Sequence, residues 1–210
     1  MKRPVIIVGA GGHAKVVIEI LLTSSVEIIG ATDSNSERIG TCILGIPVVG
    51  TDEAILQYKS EEIFLVNGIG SVALPRIRTG IFNRFKKLGY SFISTVHPSA
   101  VVSSEVVLGE GSQIMAGAII QPGCYIGENC IINTGTSVDH DCCIGSHVHL
   151  APRVTLSGGV QIGDGVHVGT GATIIQGIQI GRNSIVGAGA VVLKDVAENA
   201  KVIGVPAREV

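Results

Sequence analysis

Residues 124–150 read CYIGENCIINTGTSVDHDCCIGSHVHL, and one rule runs through them. Ile126, Ile132, Val138, Ile144 and Leu150 stand six apart, and each is aliphatic. The series extends both ways without a slip, from Val102 to Val192, sixteen positions in all. Two residues before each anchor lies a second register, which includes Cys124, Cys130, Thr136 and Cys142 and is always small or aliphatic. No position in either register carries a charge. A helix has no period of six. Strand alternation explains why positions i−2 and i face one way, after which the chain must turn. Six residues per side, repeated, predicts a parallel β-helix. A period of 18 is superimposed: Gly109, Gly127, Gly145, Gly163 and Gly181 each follow an anchor, so three sides close one coil of a triangular prism. These glycines predict corners of positive φ, with coils stacked about 4.8 Å apart.

Composition fits such a prism. Of 210 residues, 29 are Gly, 46% are hydrophobic and only 3% aromatic, with no Trp. That core must be aliphatic. A net charge of −2 supplies no basic field for nucleic acid or an anionic membrane. The charged fraction, 15%, predicts surface buried against other subunits. No apolar run reaches the length of a membrane span. The run at residues 5–8 stops at Gly9, too soon for a signal-peptide core. Five Cys without a Cys-x-x-Cys pair fit a reduced, cytoplasmic protein. Cys124, Cys130 and Cys142 fall in the inward register and read as small buried thiols. No converging ligand set predicts a metal.

Residues 1–96 follow another grammar. Residues 4–8, 26–31, 63–66 and 92–96 read as strands, alternating with helices over 14–22 and 74–88 and a shorter one capped by Thr51 or Asp52. That alternation predicts an α/β, Rossmann-like parallel sheet. The basic residues Arg76, Arg78, Arg84, Lys86 and Lys87 read as a solvated helix face. Gly9 and Gly11, between a strand and a helix, can offer backbone N–H groups to a phosphate. Asp33, after the second strand, stands where a dinucleotide fingerprint has its ribose ligand. Four strands are a short version of that fold, so a nucleotide sugar fits better than a dinucleotide. Gly11, Gly12 and His13 would face the diphosphate and Asp33 the base or ribose. Gly68 and Ile69 would line the same crevice. Boundaries follow at 1–96 for this domain, 97–195 for the β-helix and 196–210 for a C-terminal cap.

Several segments carry a resemblance: residues 9–13, Asn133-Thr134-Gly135, Val138-Asp139-His140-Asp141-Cys142 and the closing Gly204-Val205-Pro206-Ala207. Across nearly its whole length the chain resembles the left-handed β-helix acyltransferases of the PglD/NeuD-like sugar acetyltransferase family. Its wording is nearest to the GDP-perosamine N-acetyltransferases. The resemblance implies an acetyl-CoA-dependent N-acetyltransferase, a homotrimer acting on a nucleotide-linked amino sugar of the 4-amino-4,6-dideoxy type. It assigns the general base to His140 and the orienting acid to Asp141, where the PglD-like pattern has Glu. Asp139 remains a rival for the orienting role. The resemblance further implies Gly158, His149 and His167 as acetyl-CoA-site residues, with His149 as donor to the acyl oxygen, and Asn133 as an acceptor-site group.

The residues support that chemistry independently. Acyl transfer to an amine or hydroxyl needs a bound thioester, a nearby acceptor and a base. An imidazole is a suitable base near neutral pH, and a carboxylate on its other nitrogen fixes the tautomer. Gly158 lies 18 residues after His140 and leaves room beside it; Pro122 lies 18 before. His149 is half a coil away, so His140 and His149 would meet only across a subunit interface. Three other readings compete: a sialic acid O-acetyltransferase using the same base, a non-catalytic nucleotide-sensing β-helix scaffold, and a metal-dependent hydratase using His140, His147 and His149.

Overall fold

The computed structural model describes residues 3–210. They form two compact units. One runs up to Gly70 and takes in Ile77–Thr95; the other comprises Ser71–Arg76 and Val96–Val210. Residues 71–76 therefore go with the β-helix rather than with the segments that flank them.

The first unit contains β1 (Val5–Val8), α1 (Gly12–Leu22), β2 (Ile28–Thr32), β3 (Cys42–Ile43), β4 (Ile46–Gly50), β5 (Phe64–Asn67) and, from Ile77 on, α2 (Arg76–Lys87). Its sheet runs β3-β4-β2-β1-β5. All four residues of β1 are buried aliphatics, as in a strand covered on both faces. β1 pairs in parallel with β2 on one side and β5 on the other. The strand order thus reverses at β1, and the crevice beyond its carboxyl end is where α/β sheets take ligands.

Three local expectations need correction, and one element is new. The hairpin of β3 and β4 was not foreseen, because its turn is Leu44-Gly45 with φ of 48° and 80° rather than an Asn-Gly pair. Phe92 makes only an isolated parallel bridge to Leu65, not a full strand. The helix over Asp52–Gln57 is a 3-10 helix, and Asp52 accepts the Thr32 hydroxyl at 2.7 Å instead of capping it. Arg78 is no part of a solvated face. It is buried, and its guanidinium donates to the carbonyls of Asn67 at 3.0 Å and Ile69 at 2.7 Å. Those carbonyls end β5, so Arg78 ties α2 to the rim of the crevice.

The second unit is a left-handed β-helix. All sixteen anchors from Val102 to Val192 are the second residue of a two-residue strand. From Val101–Val102 to Thr173–Ile174, each strand pairs in parallel with the strand 18 residues on, as Ser137–Val138 does with Thr155–Leu156. From Ile114 onward the anchors are buried and form one continuous core. All four Phe lie in the first unit, and the one aromatic of the prism, Tyr125, points outward at 47% exposure. The small register has a further use. Ser112, Cys124, Cys130, Thr136 and Cys142 each donate a side-chain hydrogen to a carbonyl fifteen residues on, Ser112 to Gly127 O at 2.7 Å being the shortest. Burial pushes the Cys142 thiol up to about 12 and raises that of Cys124.

The corner glycines behave differently from expectation. Positive φ falls three residues after fourteen successive anchors, from Gly111 to Gly189. Nine are Gly; the others are Asn129, Asp141, His147, Arg153 and Asn183. The glycines at 109, 127, 145, 163 and 181 have ordinary φ and are required for another reason. A Cβ on Gly127 would lie 2.6 Å from the backbone carbon of Gly145 in the next coil. That column exists because stacked backbones touch there.

The C-terminal segment completes the stack. Lys201–Ile203 pairs in parallel with Ile185–Val186 and then antiparallel with Arg208–Glu209, which covers its edge. Among the described residues no helix is long and apolar enough to cross a membrane.

Candidate functional site

Three groups of residues stand out, two on the β-helix and one in the first unit.

The first is built on a corner. Val138 ends a strand, and His140 follows in the turn, its backbone N–H donating to Asp139 Oδ1 at 2.8 Å. Asp141 occupies the left-handed position of that turn, φ 59°, where most other corners have Gly. Its Oδ2 lies 2.8 Å from His140 Nδ1. One coil further on, the Gly159 N–H donates to the His140 carbonyl, so the columns are in register. A Cβ on Gly158 would lie 2.7 Å from both Cε1 and Nε2 of His140. Glycine there keeps the Nε2 edge of the ring uncovered. The hydrogen bond to Asp141, helped by the charge of Asp139, raises the His140 pKa above the usual imidazole value. Asp141 meets the ring, while Asp139 is engaged with the His140 backbone.

The second group lies on another face of the prism. His149 pairs in register with His167, and their rings meet edge to face at 5.0 Å. His149 Nδ1 lies 2.8 Å from Ser71 Oγ, and its Nε2 lies 3.1 Å from Asn133 Nδ2. Both imidazoles are buried, and burial lowers the His167 pKa. His167 Nδ1 has no hydrogen-bond partner among the described residues. Ser71, Asn133, both histidines, Gly169 and Gly187 line a cleft of about 450 Å³. Asn133 thus joins His149 directly. Ser71 was not foreseen, since nothing in the sequence links positions 78 residues apart.

The third group surrounds the carboxyl ends of β1 and β5. Gly9 has φ 96°, and a Cβ on Gly68 would lie 2.6 Å from its carbonyl oxygen, so these two glycines permit close packing. Ile69 packs against Gly9, and His13 against Gly70. Gly11 and Gly12 are different: they are exposed at the start of α1, and a Cβ on either would meet nothing. Asp33 ends this rim. Its carboxylate accepts the Asn35 N–H at 2.9 Å and Arg38 Nη1 at 3.1 Å, and Arg38 also donates to the Ala10 carbonyl. Burial pulls the Asp33 carboxyl upward, but the Asn35 amide and the Arg38 guanidinium outweigh it and hold it low. Arg38 is the rim residue that sequence reasoning missed.

His140 and His149 stand on different parts of the prism and do not meet within one chain. Among the described residues, no three His, Cys, Asp or Glu side chains converge as metal ligands. His147 is engaged with Asn129, whose Nδ2 lies 3.0 Å from its Nδ1.

Comparison with known proteins bears on both units. Residues 4–85 match the PglD N-terminal domain, and 105–140, 123–158 and 159–194 match the bacterial transferase hexapeptide (six repeats). The whole chain is similar to a solved mutant of perosamine N-acetyltransferase from Caulobacter crescentus, in complex with CoA and GDP-perosamine. Identity is 41%, coverage 100% of this chain and 98% of that one, and the TM-score 0.92. The acetyltransferase domain of PglB from Neisseria gonorrhoeae FA1090 is 34% identical, with full coverage of both chains and a TM-score of 0.90. Among curated proteins, UDP-N-acetylbacillosamine N-acetyltransferase of Bacillus subtilis (strain 168) is 40% identical over 118 residues, 54% of this chain and 52% of that protein. A mimivirus protein of Acanthamoeba polyphaga mimivirus is 32% identical over 110 residues, 52% of this chain and 21% of its own length. The chain spans about half or less of these two curated relatives.

Proposed function

The chain belongs to the PglD-like sugar acetyltransferases built on a left-handed β-helix, and on that premise we propose that it moves an acetyl group from acetyl-CoA to the amine of a nucleotide-linked 4-amino-4,6-dideoxy sugar. One observation carries the reading: a His140 imidazole with Nδ1 on a carboxylate and Nε2 beside the space that Gly158 leaves open.

The chemistry follows from that arrangement. Nδ1–H donates to Asp141, so Nε2 presents a lone pair. As the sugar amine attacks the thioester carbonyl, the C–N bond forms and the C–S bond breaks. The amine proton passes to His140 Nε2, and the departing thiolate takes up a proton. No enzyme nucleophile is needed, since holding two reactants together supplies much of the rate. The inward-facing thiols Cys124 and Cys142 are buried and raised, which makes them poor nucleophiles.

The chain's own residues suit acetyl-CoA. The cleft around His149 and His167 is apolar apart from a few polar atoms, one of them the unpartnered His167 Nδ1. Its lining includes no acidic or cationic side chain, which suits the uncharged pantetheine end of the molecule rather than its phosphates. Gly11, Gly12 and His13, with the N-terminus of α1 behind them, suit the diphosphate of the acceptor, and Asp33 its ribose or base.

The test is a panel of GDP-, UDP- and dTDP-linked 4-amino sugars set against free and activated sialic acids, read by thiol release. Turnover with an amino sugar is expected. Release with sialic acids alone would move the reaction to O-acetylation, and no release with any acceptor would leave a nucleotide-binding scaffold. We also propose a homotrimer. Val101, Val107, Ile119 and Tyr125 form an exposed apolar set on the prism, between 39% and 63% exposed. Sedimentation at micromolar concentration is expected to give three copies; a monomer rules the trimer out.

A further inference from the structure

We propose that Ser71 is the residue that polarises the thioester carbonyl, aimed by a hydrogen-bond relay that starts at Asn133 and passes through His149. The proposal rests on the acetyl transfer proposed above and names the donor that such a reaction requires.

The relay has a direction, and the direction can be worked out from its far end. Asn133 Oδ1 accepts the Thr134 N–H at 2.8 Å and lies 3.4 Å from the Thr134 hydroxyl. The amide is therefore oriented with its NH2 toward His149 Nε2, 3.1 Å away. An NH2 only donates, so Nε2 must carry the lone pair. The ring proton then sits on Nδ1 and is given to Ser71 Oγ at 2.8 Å. An N–H on Nε2 would face the Asn133 NH2, so the two contacts together specify the Nδ1–H tautomer.

A hydroxyl that accepts from the imidazole still has its own proton to donate. Ser71 Oγ lines the cleft, and the proton has that space to turn into. His149, in contrast, spends its only N–H on Ser71. The expectation that His149 donates to the acyl oxygen therefore moves one residue along the relay. The cleft supports an uncharged ligand at this point: besides Ser71 its polar side chains are Asn133, His149, His167 and Thr170, and its walls include Val72, Ile185 and Val186. A donor aimed at a carbonyl oxygen in such surroundings stabilises the charge that develops on attack. His149 and Asn133 are positioning residues; Ser71 is the one that would touch the acyl group.

The experiment has two readouts on the full-length protein. Imidazole nitrogen NMR of wild type is expected to show His149 as the neutral Nδ1–H form. Asn133→Asp puts an acceptor opposite Nε2 and is expected to move the proton there, turning the Ser71 hydroxyl toward Nδ1 and away from the cleft. In single-turnover acetyl transfer, Ser71→Ala is expected to slow the rate about a hundredfold, the scale for one such donor. The KM for the amino sugar should hold, and Ser71→Thr, which restores a hydroxyl, should recover most of the rate. Asn133→Asp should lose at least about tenfold with an unchanged melting temperature. A wild-type Nε2–H tautomer overturns the relay, and a Ser71→Ala rate near wild type overturns the polarising role. Absence of wild-type turnover with every acceptor overturns acetyl transfer itself and the role with it, while the NMR result still reads the relay.

Discussion

His140→Ala is expected to lower the turnover number by two to four orders of magnitude, roughly the contribution of a general base. The loss should fall on turnover rather than on folding, because the His140 side chain is 62% exposed at a corner. Some rate should survive, since bringing the amine and the thioester together does not depend on this ring. The pH profile supplies the sharper evidence. A base must be neutral to act, and the Asp141 hydrogen bond with the Asp139 charge raises the His140 pKa above 6.5. Activity should therefore rise with pH through a limb lying above that value. Asp141→Asn should move the limb down and lower the plateau. Asp141→Gly should do the same without loss of melting temperature, because position 141 has φ 59° in a register that otherwise favours Gly. The carboxylate occupies a backbone conformation that is unfavourable for it, as side chains at working sites often do. Turnover of His140→Ala within threefold of wild type would remove the base from this residue.

What could be read from the chain depends on how far apart the interacting residues are and whether a period links them. The prism was legible because every coil repeats one rule, so sixteen anchors testify to one structure. Gly158 beside His140 was legible for the same reason, being one period away. Asn133 and His149 are 16 residues apart, two short of a coil, so they lie diagonally and a strict column count passes over them. Ser71 lies outside the repeat altogether, and only the path of residues 71–76 brings it to His149. In the first unit, β1 was plain from its continuous apolar run, whereas Arg78 was misread because buried and solvated arginines share the same letter. The groups its guanidinium meets are main-chain carbonyls, those of Asn67 and Ile69, which no residue type announces.

The glycine columns offer the largest expected effect on stability, and they separate two reasons for having no side chain. Gly127→Ala is expected to cost about 3 kcal/mol or more, the upper range for overpacking. Its Cβ would lie 2.6 Å from Gly145 C and 2.6 Å from Ser146 N, both backbone atoms. No rotamer change relieves that contact. The Gly127 N–H meanwhile donates to the Ile144 carbonyl at 2.8 Å, holding the coils at the spacing that creates the clash. Two coils must part or the turn must unwind, and for a chain of this size the melting temperature should fall by roughly 6–12 °C. Gly171→Ala is the control. It has φ 69° and nothing within 4 Å of the added Cβ, so it meets only the left-handed backbone penalty of about 1–2 kcal/mol. Gly171→Asn should cost less still, as Asn already occupies this register at 129 and 183. Thermal melts should therefore place Gly171→Asn highest, Gly171→Ala next and Gly127→Ala lowest. Were Gly171→Ala the more damaging of the two alanine changes, backbone handedness rather than coil contact would limit the prism, and the period of 18 would need a different physical cause.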